Sequence, residues 1–138
     1  MNPSAPRLPN PRRVWIGHWL MAVAALHTLF ALLVFQQPLL GIAQRGVFNS
    51  VGQDAMTAAS VWFLLFGAVL ALLALAITPL ERGGDAQTLR RLGFGVLAMS
   101  TLGIVLMPAS GFWLALPAGL ALLRRPHGGE KKPAEAGL

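Results

Sequence analysis

One histidine stands in the middle of an unbroken apolar run. His27 lies within residues 14–35, VWIGHWLMAVAALHTLFALLVF, and is the only ionisable side chain deep inside any apolar segment. Placing an ionisable group there is costly, which makes it a candidate for function. An imidazole can pass a proton, hold a ligand by a hydrogen bond or ligate a metal. Four hydroxyls in two later apolar segments, those of Thr57, Ser60, Ser100 and Thr101, fall at comparable depths and would complete a small polar pocket. The plainer alternative is a neutral histidine hydrogen-bonded across helices to one of these hydroxyls, and the sequence favours it. One histidine without carboxylates is a poor metal signal, because such sites need three or four ligands. No metal ligand set, catalytic residue or cofactor is therefore assigned.

The other polar groups offer less. Arg45, Asn49 and Asp54 form a second cluster that would orient a ligand headgroup, or simply satisfy a loop and cap a helix. His18 lies nine residues before His27, half a turn around the helix, so the two cannot share a face and one haem cannot be held by both. With Trp15 and Trp19 beside it, His18 reads as an interfacial anchor. Trp62 and Trp113 read as packing or lipid contacts. Glu81 and Asp85 sit among arginines and read as solvated loop residues, and His127 reads as part of a solvated tail.

Composition points to a membrane. Of 138 residues, 55% are hydrophobic and 12% charged, with a mean hydropathy of +0.62. A soluble domain carries about a quarter charged residues. The net charge of +6 does not indicate nucleic acid, because the arginines and lysines flank apolar runs and no basic helix face appears. The absence of cysteine excludes disulfides, thiol catalysis and Cys-based metal sites.

The elements that must position His27 follow from the apolar segments. Residues 1–13, with four prolines, predict a disordered cytoplasmic tail. The run after Arg13 exceeds the 7–15 residues of a secretory signal core, so it is read as a retained span at 14–36 that Pro38 ends. Residues 37–54 mix apolar and polar positions as a short interfacial piece does. Residues 55–77 hold 23 positions without a charge, with Asp54 as a candidate N-cap and Pro79 as the stop. Residues 90–107 and 110–124 are shorter, and Pro108, Ser110 and Gly111 between them predict a tight helical hairpin, although one broken helix over the same stretch stays open. The tail 126–138 is rich in Gly and Pro and predicts disorder.

The expected fold is an all-α membrane protein of four transmembrane helices in an up-down bundle over residues 14–125, with a short interfacial segment between helices 1 and 2. Four crossings put every arginine-rich segment on one side, which predicts cytoplasmic N- and C-termini in an inner membrane. Small residues recur every seven positions, as Gly17, Ala24 and Ala31 in the first segment and Ser60, Gly67 and Ala74 in the second. Such stripes let helices approach closely in lipid. His27 falls three residues after Ala24 and four before Ala31, so it should face the bundle.

The segments WFLLFG (62–67) and VLMPASGFWLALP (105–117), with Gly17-His18-Trp19 and His27, resemble an uncharacterised family of small bacterial integral membrane proteins with four helices. The resemblance covers roughly residues 14–125, implies a four-helix inner-membrane protein and supplies no activity. Small multidrug transporters are similar in size, but the first segment lacks the carboxylate that such transporters need. The sequence thus supports a non-enzymatic protein that binds a lipophilic ligand or a membrane partner, a homo-oligomer included, in its bundle. A small transporter or membrane enzyme using His27 as its proton-active group is the alternative. Haem or metal binding through His27 with ligands from elsewhere is the second.

Overall fold

The structure is a computed structural model that describes residues 13–125. Residues 1–12 and 126–138, where the two tails are expected, lie outside the described residues. Within that range the chain is all-helical, with α1 at Ile16–Val34, α2 at Gln36–Arg45, α3 at Ala55–Gly83, α4 at Ala86–Leu106 and α5 at Leu116–Leu123. A 3-10 turn, Gly111–Ala115, leads into α5. Three of the helices, α1, α3 and α4, are long and apolar enough to cross a membrane.

Proline chemistry explains where these elements depart from the sequence expectation. Residue 38 would donate to the Val34 carbonyl if it were not proline, so α1 stops at Val34. The ladder resumes with Leu39 N–H donating to Phe35 O at 3.1 Å, and Pro38 falls in the first turn of α2, where no donor is needed. Pro79, expected to end the second span, does not. Helix α3 runs through it to Gly83, with the Thr78 hydroxyl donating to Ala74 O at 3.0 Å in the turn the proline disturbs. The last segment is not a uniform helix over 110–124. Pro117 cannot donate to Trp113 O, and Leu116 N–H takes that carbonyl in 3-10 register instead. The hairpin before it is closed by the Trp113 indole, which donates to Pro108 O at 2.9 Å.

Two antiparallel pairs make the body. Gly17 lies against Ala74 and Thr78 while His27 and Thr28 lie against Gly67, so α1 and α3 run in opposite directions. Gly93 meets Leu122 and Gly103 meets Phe112, which sets α4 against α5 and the 3-10 turn. Gly84, with φ of 74°, ends α3 in the left-handed conformation, and Asp85 opens α4 at once. The pairs join through Ile16, Leu20, Ala74, Ile77, Leu89, Ala118 and Leu122, a buried layer drawn from all four helices. This layer lies at the end that carries Arg13, Arg82, Arg90, Arg91, Arg124 and Arg125.

Burial repeats every seven residues. Ser60, Gly67 and Ala74 are buried on α3, Gly17, Ala24 and Ala31 on α1, and Ala86, Gly93 and Ser100 on α4. A seven-residue repeat is the period that left-handed bundles use. The small-residue stripes expected from the sequence lie on the contact faces, and many of the large apolar side chains outside the buried layer point away from them. Trp62 is 73% exposed and Val105 71%.

Candidate functional site

His27 occupies a notch in α3. Gly67 forms it: a Cβ there would come within 2.6 Å of Thr28 Oγ1 and 3.1 Å of His27 Cδ2. Because the notch is open, the imidazole reaches the backbone of α3 and its Nε2 lies 3.0 Å from Phe63 O. A carbonyl only accepts, so Nε2 carries the proton, and in a neutral imidazole the other nitrogen, Nδ1, is then the acceptor. The ring stacks on Phe63 with centroids 4.1 Å apart and an 11° tilt, and Phe66 approaches at 5.5 Å. Phe66 in turn meets Phe112 edge-on at 6.5 Å, which links the notch to the 3-10 turn. His27 is half-buried, so one side of this aromatic setting is open.

The hydroxyls named with it take other places. Ser60 is fully buried, but its Oγ donates to Thr57 O at 2.8 Å within its own helix. Thr57 is also buried on α3. Ser100 is fully buried on α4 and its Oγ has no hydrogen-bond partner among the described residues. Thr101, one residue on and so about 100° around the helix, is exposed and faces away from the bundle. The bond to a backbone carbonyl replaces the expected bond to a hydroxyl.

Arg45, Asn49 and Asp54 remain at the surface. Asp54 is the N-cap of α3, accepting from Thr57 N–H at 2.7 Å, and hydrogen bonds from the Thr57 side chain and backbone together hold its carboxyl below the usual range. Arg45 reaches Ser50 O at 3.4 Å, and Asn49 takes a left-handed φ of 52° in the loop. Asp85 repeats the capping role on α4, accepting from Thr88 N–H at 3.0 Å, with its carboxyl lowered for the same reason. His18 is exposed, and the Trp19 indole next to it donates to Leu114 O at 2.9 Å.

A site the sequence reading did not anticipate lies at the arginine end. Glu81 is not a solvated loop residue. It is fully buried in the last turns of α3 and caps the start of α1. One carboxylate oxygen accepts from Gly17 N–H at 2.9 Å, and the other accepts from Trp15 N–H at 3.3 Å and pairs with Arg125. Arg125 also donates to Arg13 O at 2.9 Å. The termini of α1, α3 and α5 are tied at one point, and the negative charge sits where the α1 dipole is positive. A signal for it existed. Counting seven from Ala74 gives Glu81, so the stripe that runs from Ser60 continues through Pro79 to the carboxylate. Only the assumption that Pro79 ends the helix concealed it.

Among the described residues no three His, Asp or Glu side chains come together as a metal would require. Among the described residues His27 brings one nitrogen and aromatic neighbours, so a metal or a doubly ligated haem there would need its further ligands from elsewhere.

This arrangement defines a helical protein with membrane-spanning hydropathy, a half-buried imidazole in an aromatic notch and a buried carboxylate clamp. The chain belongs to the family of unknown function DUF6463, whose model matches residues 11–128. No curated protein and no solved structure matches it.

Proposed function

We propose that the chain is a multi-pass protein of a bacterial inner membrane that works by binding a lipophilic ligand or a membrane partner at the His27 notch, not by catalysis. The observation that carries this reading is the half-buried imidazole itself. Its Nε2 is spent on Phe63 O and its face is stacked on Phe63 with Phe66 close by, which leaves the other ring nitrogen for a ligand. Apolar walls with one or two placed polar groups are what small-molecule sites use. A proton-transport reading is less well supported. Glu81, which is the fully buried ionisable group among the described residues, is eighteen residues along α3 from Phe63, about 27 Å away, and is committed to Arg125.

The topology proposed is four crossings with both termini cytoplasmic. The 3-10 turn and α5 together extend only about 22 Å, so the fourth crossing needs Arg124 and Arg125 to reach the headgroups at its end. Reporter fusions test this directly. Fusions at either terminus and near Gly83 should read cytoplasmic, and fusions near Asn49 and Ser110 should read external. For the ligand, native mass spectrometry of wild type and His27→Phe should show a small lipophilic molecule on the former and much less on the latter. Equal retention by both proteins would end the proposal for the notch.

A further inference from the structure

On α4, Gln87, Arg90, Arg91 and Phe94 stand at i, i+3, i+4 and i+7, so they share one stripe of the helix. All four are exposed and together line a shallow cavity of about 190 Å³. The stripe Ala86, Leu89 and Gly93, roughly 120° around the helix, is buried in the bundle, so the cavity opens away from the core. Neither Arg90 nor Arg91 forms a salt bridge among the described residues. The carboxylate of Asp85 feels Arg91 but is engaged with Thr88 N–H. At this end of the molecule Arg125 has spent its charge on Glu81, whereas these two guanidiniums have not.

What lies beyond them along the helix matters as much. Phe94 is 62% exposed and sits one turn from Arg90 toward the apolar middle of α4. The same stripe continues through Ala98 and Thr101, both small and exposed, to Val105. Two cations and an amide donor at one end of a shallow apolar lane match a molecule with an anionic head and a long hydrocarbon tail.

We infer that this face of α4 is a binding site for an anionic diacyl phospholipid. Arg90 and Arg91 hold the phosphate, Gln87 donates to the headgroup, and an acyl chain lies over Phe94 and along Ala98 and Thr101. Guanidinium groups suit phosphate because their paired N–H donors match its oxygens. Basic residues beside a span attract anionic lipid, each with a modest share of the affinity. The site is separate from the His27 notch and rests on the earlier reading only in requiring that α4 lie in a bilayer.

The full chain, purified in detergent, is titrated with a phosphatidylglycerol and separately with a phosphatidylcholine of the same acyl chains, and bound lipid is counted by native mass spectrometry. Wild type should retain the anionic lipid in preference. Replacing one arginine should weaken that binding about fivefold and Arg90→Gln with Arg91→Gln by about 25-fold, leaving the zwitterionic lipid unaffected. Arg82→Gln with Arg124→Gln, which lie at the same end but off the stripe, should change it little. Equal losses in both double variants, or no preference for the anionic lipid in wild type, would overturn the site. Displacement of the lipid by millimolar inorganic phosphate would also overturn it, by showing that the tail contributes nothing. Carbonate washing of membranes separates the two readings. A chain that washes off refutes bilayer insertion, whereas a chain that stays and shows no lipid preference refutes this site alone.

Discussion

The Gly17 amide donates to the Glu81 carboxylate at 2.9 Å, although the two residues are 64 positions apart. Helix α1 has no cap from its own sequence, and its first turn is satisfied by a side chain from the far end of α3. The bond therefore forms only when α1 and α3 are in register, and Arg125 joins it only when α5 has returned to the same end.

Breaking this clamp should be costly. Removing one partner of a buried ion pair costs about 3–5 kcal/mol, and Glu81 is fully buried. Glu81→Ala should lower the melting temperature in detergent well below that of Arg124→Ala, whose side chain is exposed. Glu81→Ala and Arg125→Ala combined should cost much less than the sum of the two, because each alone strands the other. Strictly additive losses would show that the pair is not coupled.

Glycine substitutions should rank by what a Cβ would meet. At Gly17 it would lie 2.9 Å from the Ala74 carbonyl oxygen, which is backbone and cannot swing aside. At Gly67 the nearest atom is the Thr28 hydroxyl, which can rotate. At Gly95 nothing lies within 4 Å. Gly17→Ala should therefore destabilise by about 1–3 kcal/mol, Gly67→Ala by less, and Gly95→Ala should be neutral or stabilising. Thermal melts of the three variants would check that order.

His27→Phe keeps the stack on Phe63 and drops the N–H, so it should cost about 0.5–1.5 kcal/mol. His27→Ala loses both and should cost more. Nitrogen NMR of labelled histidine offers a direct test, since the neutral ring should be protonated on Nε2. Protonation on Nδ1 would contradict the bond to Phe63 O.

The capping aspartates set an acid limit. Hydrogen bonds from Thr57 and Thr88 hold the Asp54 and Asp85 carboxyls below their ordinary range. A group whose folded value is depressed adds stability that is complete above its unfolded value and lost as pH falls through the folded one. The stabilisation is thus whole at neutral pH and declines below about pH 4. Asp54→Asn with Asp85→Asn keeps both caps without the charge, so the variant should melt less differently between pH 7 and pH 3 than wild type does. An unchanged difference would mean that other groups set the acid limit.

The sequence by itself determined what repeats locally. A helix turns 100° per residue, so Gly17, Ala24 and Ala31 must share a face, and His27, three residues from Ala24, must lie beside them. Asp54 before Ala55 was likewise readable as a cap, because capping involves only the next three residues. Thr101 illustrates the limit of depth alone, since Ser100 lies on the buried stripe and its neighbour cannot. Tertiary structure decided the rest. Whether Pro79 ends a helix depends on what the turns beyond it can bind, and here they deliver Glu81 to the start of α1. His27 bonds to Phe63 O and not to a hydroxyl because Gly67 exposes the backbone of the partner helix at that height. Those partners are distant in sequence, and a periodicity along one helix carries no information about the register of the next.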